Sequence, residues 1–151
     1  MAIVRYTPRA TKVMSAAKKL AISFNGNSIE PEHVLLALVR SEQSKGARAL
    51  VARYPNALEE IDAELCHAIV ADTAVSLGAG PGQSELLQEV VRRAIRFAQN
   101  TGSSCVGTEH LLLGVCRAEK NVAGKLLARR GYSLEVLQAA IQTAYGRAGA
   151  A

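Results

Sequence analysis

The stretch Val106-Gly107-Thr108-Glu109-His110-Leu111-Leu112-Leu113-Gly114 repeats an earlier one, Ile29-Glu30-Pro31-Glu32-His33-Val34-Leu35-Leu36-Ala37. The correspondence continues on both sides of this anchor, so that Thr7 aligns with Ser84 and Ala17 with Ala94. After one extra residue in the first copy it resumes, with Leu50 opposite Leu126. A match of this length predicts two copies of one structural unit.

The composition indicates that each unit is helical. Hydrophobic residues make up 49% of the 151 positions and aromatic residues only 4%, and alanine and leucine dominate the apolar set. This composition suits close-packed helices better than a sheet sandwich. Units of about 70 residues are marginal alone but stable when packed together. We therefore predict an all-α fold in which two pseudo-symmetric four-helix repeats form one eight-helix domain.

The helix starts and stops can be placed from capping and turn residues. Thr7-Pro8 predicts the start of the first helix, because a threonine hydroxyl can cap a free amide and proline is tolerated at the first helical position. This helix is expected to run to about Phe24, before Asn25-Gly26-Asn27-Ser28, and the next to begin at Pro31. Further helices are expected near 46–54, 58–70, 84–101, 108–118, 122–130 and 133–145.

Glycine and proline also mark the division between the copies. Gly78, Gly80, Pro81 and Gly82 fall in a stretch with weak periodicity, which predicts a flexible linker at 71–83. Repeat one then spans 5–70 and repeat two spans 84–146. The glycine and alanine residues at 147–151 are expected to form a flexible tail of this single domain.

Charge, cysteines and hydropathy exclude several classes of protein. The net charge of +5 is spread along the chain, and with so few aromatic residues it argues against a nucleic-acid surface. The three cysteines form no CxxC pair, so neither a disulfide framework nor a zinc cage is indicated. The N-terminal residues lack the apolar core of a signal peptide, and no apolar run is long enough for a membrane span. We expect a soluble cytoplasmic protein without a cofactor or metal.

The histidines of the repeated stretch have two interpretations. His33 and His110 follow acidic residues, a pattern that could indicate a metal pair or an acid–base catalyst, but each precedes an aliphatic run at a helix start. Cys105 lies five residues before His110, which matches no zinc motif, and no third catalytic group for a hydrolase is evident. We interpret the histidines as packed structural residues and predict no catalytic site.

Two segments carry a resemblance to a known family. Arg5-Tyr6-Thr7-Pro8-Arg9-Ala10 and the stretch at 106–114 resemble the double Clp N-terminal domain of Hsp100 AAA+ unfoldases, closest to the ClpC type. The resemblance implies a module that receives substrates and adaptor proteins and performs no covalent chemistry. Consistently, the phosphate-binding pattern GxxxxGK[ST] is missing, because the Gly124-Lys125 pair is followed by Leu126.

The resemblance also implies a ligand, phosphorylated arginine, and two pockets for it. It pairs Glu32 with Thr7 and Glu109 with Ser84, the glutamate contacting the guanidinium and the hydroxyl residue the phosphoryl group. A carboxylate can accept two hydrogen bonds from a guanidinium, and helix N-termini attract anions. The alternative is that both glutamates only complement the helix dipole. Glu30-Pro31 replaces the Gly-Thr of the ClpC pattern, and Ser84 replaces threonine.

Other residues are candidates for a groove that holds adaptors or peptides. Arg92, Arg93 and Arg96, together with Arg129 and Arg130, would form a basic docking surface, unless they are simply solvated. Tyr6 would line an apolar groove between the repeats, or it would pack the N-terminus against the domain.

These observations predict a substrate- and adaptor-recognition module of a Clp-type ATP-dependent unfoldase. Its expected partners are Clp adaptors, unfolded or arginine-phosphorylated substrates and an AAA+ ATPase ring in cis or in trans. The alternative is a free-standing accessory protein that competes for adaptors or docks on a Clp complex. The isolated domain is expected to be a monomer, without nucleic acid or membrane as partner.

Overall fold

Eight α-helices make up the part of the chain that the structure describes. The structure is a computed structural model, and it describes residues 4–24, 26, 28–71 and 82–150. The helices are α1 (Pro8–Ser23), α2 (Pro31–Arg40), α3 (Lys45–Val51), α4 (Ala57–Ala71), α5 (Glu85–Asn100), α6 (Thr108–Cys116), α7 (Val122–Arg129) and α8 (Leu134–Ala150). Apart from two isolated bridges, the described residues form no β-structure. The predicted all-α double repeat is confirmed.

Most helix starts follow the predicted capping chemistry. The Thr7 hydroxyl accepts a hydrogen bond from the Ala10 amide at 3.1 Å, and Pro8 occupies the first helical position. In the second copy, the Ser84 hydroxyl accepts from the Leu87 amide, also at 3.1 Å. Both side chains thus satisfy an amide that the helix itself leaves unpaired.

Two predicted helix ends are wrong. α3 ends at Val51 rather than near residue 54, because a proline at 55 disfavours helical backbone in the residue before it. α8 continues to Ala150, beyond the predicted end near Tyr145 and through most of the expected tail. That segment contains no proline, and each glycine costs a helix only about 1 kcal/mol. Of the predicted linker, 72–81 lies outside the described residues, as do Asn25 and Asn27 of the first interruption.

The segments that lead into α1 and α5 each form backbone hydrogen bonds with the other repeat. Before α1, the Thr7 amide donates to the Val106 carbonyl at 2.9 Å, and the Val106 amide donates to the Arg5 carbonyl at 2.7 Å. Before α5, the Ser84 amide donates in the same way to the Ile29 carbonyl at 3.1 Å. The first helix of each repeat therefore starts beside the second helix of the other repeat.

The second and third helices are also joined across the repeats. The Gly46 amide at the start of α3 donates to the Thr108 hydroxyl at the start of α6, at 3.0 Å. Reciprocally, the Asn121 side-chain amide at the start of α7 donates to a carboxylate oxygen of Glu32 in α2, at 2.8 Å. Four helix starts thus meet in two pairs at the boundary between the repeats.

One apolar core runs through both repeats. It extends from Val13 in α1 to Leu137 in α8 and includes Leu35 of α2, Leu112 of α6 and Leu126 of α7. Tyr132 lies within it with 0% exposure, and its hydroxyl donates to the Leu50 carbonyl of the other repeat at 2.7 Å. Among the described residues, no helix has the length and apolar character needed to span a bilayer.

Candidate functional site

A cavity of about 890 Å³ opens at the start of α6, where the two repeats meet. Repeat one contributes the start of α1 and the segment that joins α2 to α3. Repeat two contributes the segment that joins α5 to α6 and the first turn of α6. The walls are polar, with residues Thr7, Pro8, Arg9, Lys12, Ser41, Gln43, Lys45, Gly102, Ser103, Ser104, Cys105, Gly107, Thr108, Glu109 and His110.

Glu109 supplies the carboxylate of this cavity. Its side chain is 12% exposed and lies 3.7 Å from the Lys45 ammonium of the other repeat, measured between Nζ and Oε2. The carboxylate folds back over Gly107, where a Cβ atom would clash with Oε1. The glycine at this position therefore permits the carboxylate to lie over the helix N-terminus, facing the cavity.

The opposite charge on the cavity wall comes from repeat one. Arg9, Lys12 and Lys45 are all exposed and line the cavity together with Thr7. The Thr7 hydroxyl accepts the Ala10 amide proton, so its own proton can be donated to a ligand. The first amides of α6 have no partner within the helix and add partial positive charge. One carboxylate thus faces three cations and a hydroxyl donor.

Glu32 stands in the equivalent position of repeat one but has a different environment. It is 9% exposed, and its carboxylate accepts the Asn121 side-chain hydrogen bond. The residue that replaces Gly107 here is Glu30, whose own carboxylate accepts a hydrogen bond from the Ser28 hydroxyl. Repeat one therefore holds its glutamate in an internal contact and carries a second glutamate two residues earlier in the chain.

The predicted pairing of site residues is wrong. Thr7 lines the cavity of Glu109, whereas Ser84 is bonded through its backbone to Ile29, just before the helix that carries Glu32. The cause is that each lead-in segment is hydrogen-bonded to the other repeat. Sequence comparison aligns each residue within its own repeat, so it assigned Thr7 to the wrong glutamate.

The two histidines complete the caps of α2 and α6. His33 and His110 are buried, and in each the ring Nδ1 accepts the backbone N–H three residues earlier, that of Glu30 or Gly107, at 2.9 Å. The Nε2 atom of His110 lies 3.5 Å from the Thr101 hydroxyl. An accepting Nδ1 requires the neutral ring. Among the described residues there is no cluster of potential metal ligands around them or elsewhere.

These caps predict that acid destabilises the domain. Burial lowers the pKa of His33 and of His110, and for His110 the nearby Glu109 opposes this effect while Lys45 adds to it. An unfolded histidine has a pKa of about 6.5, so the unfolded chain binds these protons more readily. The stabilisation is complete above about pH 6.5 and is lost as the pH falls below it.

Urea unfolding between pH 7.5 and pH 5.5 measures this effect. The variant His33→Gln/His110→Gln keeps an acceptor at the third helical position, as in a capping box, but does not titrate. Its stability is expected to depend less on pH than that of the wild type. His67→Gln changes an exposed histidine of α4 and serves as the control. An equal pH dependence in the wild type and the double variant would contradict the capping role.

The predicted basic docking residues differ in their contacts. Arg92 and Arg93 both pair with Glu89 on α5, and Arg93 also donates to the Arg117 carbonyl at 2.9 Å. Arg96 is exposed on the same helix. Arg129 and Arg130 form ion pairs across the repeats, with the partners Glu60 and Glu64 of α4. Two of the five arginines therefore hold α4 against the end of α7, and the basic docking surface remains a prediction.

Tyr6 packs at the boundary between the repeats. It contacts a small buried cluster formed by Ala10, Ala94, Ala98, Val106 and Leu111, and burial raises its pKa. This position agrees with the packing interpretation. The cysteines occupy separate places: Cys105 lines the cavity, whereas burial raises the pKa of Cys116 to about 11.

Sequence reasoning did not single out Lys45, Arg9 or Lys12. The last two are exposed residues of α1 and line the cavity at the N-terminal end of that helix. Lys45 lies in the segment where the alignment of the two copies is interrupted. The repeat therefore assigns it no counterpart in the second copy and does not mark it as a site residue.

Comparison with known proteins identifies relatives across most of the chain. A family model described as the Clp repeat (R) N-terminal domain matches residues 5–130. "Negative regulator of genetic competence ClpC/MecB" of Bacillus subtilis is 35% identical over 136 residues, which cover 86% of this chain. The match spans only 16% of that relative's length.

Solved structures share the fold at lower sequence identity. The Hsp104 N-terminal domain from Candida albicans superposes with a TM-score of 0.78 at 19% identity, covering 94% of this chain and 92% of that one. A ClpV N-domain, solved as a complex with a VipB peptide, superposes with a TM-score of 0.70 at 17% identity, covering 89% and 88%. At this level of identity the similarity concerns the fold alone.

Proposed function

Since this chain belongs to the Clp repeat N-terminal domain family, we propose that it is the substrate- and adaptor-recognition module of a Clp-type ATP-dependent unfoldase. In this proposal repeat one (5–70) and repeat two (84–146) form one binding domain, which acts beside an AAA+ ATPase ring. It recognises proteins marked by phosphorylated arginine through the cavity at the start of α6, and it performs no covalent chemistry.

The observation that carries the proposal is the separation of charge in the cavity. Phosphoarginine has a planar guanidinium group and a phosphoryl dianion on the same side chain. The Glu109 carboxylate can accept hydrogen bonds from the guanidinium, as carboxylates do from arginine. Arg9, Lys12, Lys45 and the Thr7 hydroxyl line the same cavity and attract the phosphoryl group. Unmodified arginine meets the carboxylate but also the repulsion of the three cations.

The cavity at Glu109 differs from the position of Glu32, and only the first is proposed to take this ligand. Glu32 is engaged by Asn121, and the neighbouring Glu30 would repel a phosphoryl group. Ser84, beside α2, does not line the cavity at Glu109 and is not part of this site. The chain therefore carries one phosphoarginine site in place of two.

Peptide binding by a protein of the same fold supports the wider role. The ClpV N-domain was solved as a complex with a VipB peptide, so a domain of this fold can hold a peptide. In this chain, the α5 arginines 92, 93 and 96 form part of the surface proposed for adaptors, whereas Tyr6 packs at the boundary between the repeats. Arg92 and Arg93 remain partly exposed beside Glu89, which leaves the face basic.

Isothermal titration calorimetry with phosphoarginine, arginine and phosphoserine tests the ligand assignment. Phosphoarginine is expected to bind, and the other two to bind at least tenfold more weakly, because each lacks one of the two charges that the cavity matches. Equal binding of phosphoserine and phosphoarginine would show that the cavity is a general anion site. No heat from phosphoarginine at millimolar concentration would reject the ligand and leave adaptor binding as the function.

Lys45 is expected to set the preference for the phosphorylated form. Its ammonium pairs with Glu109, and when a guanidinium binds to this carboxylate the ammonium can turn to the phosphoryl group. An exposed pair of this kind contributes up to about 1 kcal/mol, or about fivefold in affinity. Lys45→Gln should therefore weaken phosphoarginine binding by about fivefold and strengthen arginine binding.

The same titrations measure this change of preference. Lys18→Gln removes an exposed cation from α1 that does not line the cavity, and it controls for the change in net charge. If Lys45→Gln and Lys18→Gln weaken phosphoarginine binding equally, Lys45 acts only through the general field of the domain.

A further inference from the structure

A second cavity lies beside the first, between α1 and α2 of repeat one. Its volume is about 410 Å³, and we call it the α1–α2 groove. Lys12 and Ser41 line both this groove and the cavity at Glu109, so the two spaces adjoin. The groove has an apolar floor, formed by Val13, Ala16, Leu20 and Ala37.

The groove exists because two positions differ between the repeats. Ala37 aligns with Gly114, where a Cβ atom would lie 2.5 Å from the Val90 carbonyl oxygen, so α6 lies closer to α5 than an alanine would allow. Ala16 aligns with Arg93, whose guanidinium reaches the Arg117 carbonyl at the end of α6. In repeat two the arginine thus covers the space that repeat one leaves open.

The rim of the groove is basic. Lys12, Lys19 and Arg40 stand around the apolar floor, and α1 carries four basic residues and no acidic one. Arg40 donates to the Asp62 carboxylate at 2.8 Å, so its charge is largely matched. Within the described part of the chain, Lys12 and Lys19 form no ion pair. The complementary ligand is apolar in the middle and acidic at its edge.

We propose that the α1–α2 groove binds the stretch of substrate polypeptide that flanks the phosphorylated arginine. An apolar side chain of that stretch packs on the floor, and an acidic side chain pairs with Lys12 or Lys19. From Lys12 to Ser23, α1 extends about 16 Å, which matches about five residues of extended peptide. This inference rests on the proposed function, because the cavity at Glu109 supplies the anchor, and it makes the flanking sequence part of the recognised signal.

Peptide titrations with the full chain separate the anchor from the groove. Two heptapeptides carry a segment of leucine and aspartate next to phosphoarginine, one on the N-terminal side of the phosphoarginine and one on its C-terminal side. In the matching control peptides, glycine and serine replace this segment. The apolar and acidic segment is expected to increase the affinity about tenfold on at least one side, from burial of one leucine and one exposed ion pair. Equal affinities of all peptides would overturn the inference.

The variant Ala16→Arg provides the matched test, because repeat two already accommodates arginine at this position. It should abolish the tenfold difference and leave the binding of free phosphoarginine unchanged. Retention of the difference would place the flanking segment elsewhere. A segment without phosphoarginine, titrated at millimolar concentration, should shift the methyl signals of Leu20 and Ala37 in the wild type but not in Ala16→Arg. This last comparison shows whether the groove binds the peptide segment, even if phosphoarginine itself does not bind.

Discussion

Replacing Glu109 by glutamine is expected to weaken phosphoarginine binding by about a hundredfold, because a partly desolvated guanidinium would lose its charged acceptor, at a cost of roughly 2 to 3 kcal/mol. Glu109 is the only carboxylate among the residues that line the cavity in the described part of the chain. Glutamine keeps the length of the side chain and one oxygen acceptor. The loss therefore reports the charge rather than a change in packing.

The control for this prediction comes from the other repeat. Glu32→Gln removes the equivalent carboxylate, which contacts Asn121 and does not line the cavity. It should leave phosphoarginine affinity within about twofold of the wild type, since it is not part of the proposed ligand site. Calorimetry on the two variants gives the comparison directly. A hundredfold loss in Glu32→Gln and none in Glu109→Gln would show that the wrong repeat has been assigned.

Replacing Tyr132 by alanine is expected to destabilise the whole domain by about 4 kcal/mol, as large-to-small changes of buried aromatic residues do. The ring has 0% exposure and stacks edge to face with Tyr54 of repeat one, with 6.0 Å between ring centroids. Its hydroxyl also satisfies the Leu50 carbonyl. For a domain of this size the unfolding temperature should fall by about 10 °C.

Two further variants divide this effect into its parts. Tyr132→Phe leaves the ring but removes one hydrogen bond to the Leu50 carbonyl, which also accepts from the Arg53 and Tyr54 amides, so it should cost only about 1 kcal/mol. Tyr54→Ala removes a ring that is 44% exposed and should cost about 1 kcal/mol. Circular dichroism and chemical denaturation give the values. A single transition that moves to lower temperature would show that both repeats unfold together, whereas two separate transitions would contradict one shared core.

Local signals in the sequence predicted the helices well. The Thr7-Pro8 pair marks the start of α1, and the internal repeat transfers the same plan to the second copy. These features depend on neighbours in the chain, such as a hydroxyl three residues before an unpaired amide. The end of α8 was missed because alanine and arginine outweigh two glycines in a helix that the sequence only weakly delimits.

The geometry of the site could not be predicted in the same way. Thr7 lines the same cavity as Glu109 because the segment before α1 is bonded to Val106, and nothing local to either residue encodes that arrangement. The glutamate of the repeated stretch also has a different partner in each repeat. Glu32 is held by Asn121 and Glu109 by Lys45, and both partners come from the other repeat. Contacts of this kind depend on how the repeats pack, which the pattern within one repeat does not specify.

The most direct test of a ligand site shared between the repeats is an NMR titration of the isotope-labelled chain with phosphoarginine. The account predicts that signals of Thr7, Arg9 and Lys45 from repeat one shift together with those of Glu109 from repeat two, with one common dissociation constant. Signals of Ser84 and Glu32 should remain in place. Shifts at Glu109 and Ser84 without shifts at Thr7 would contradict the sharing of the site between the repeats, and the absence of any shift at millimolar ligand would contradict the site itself.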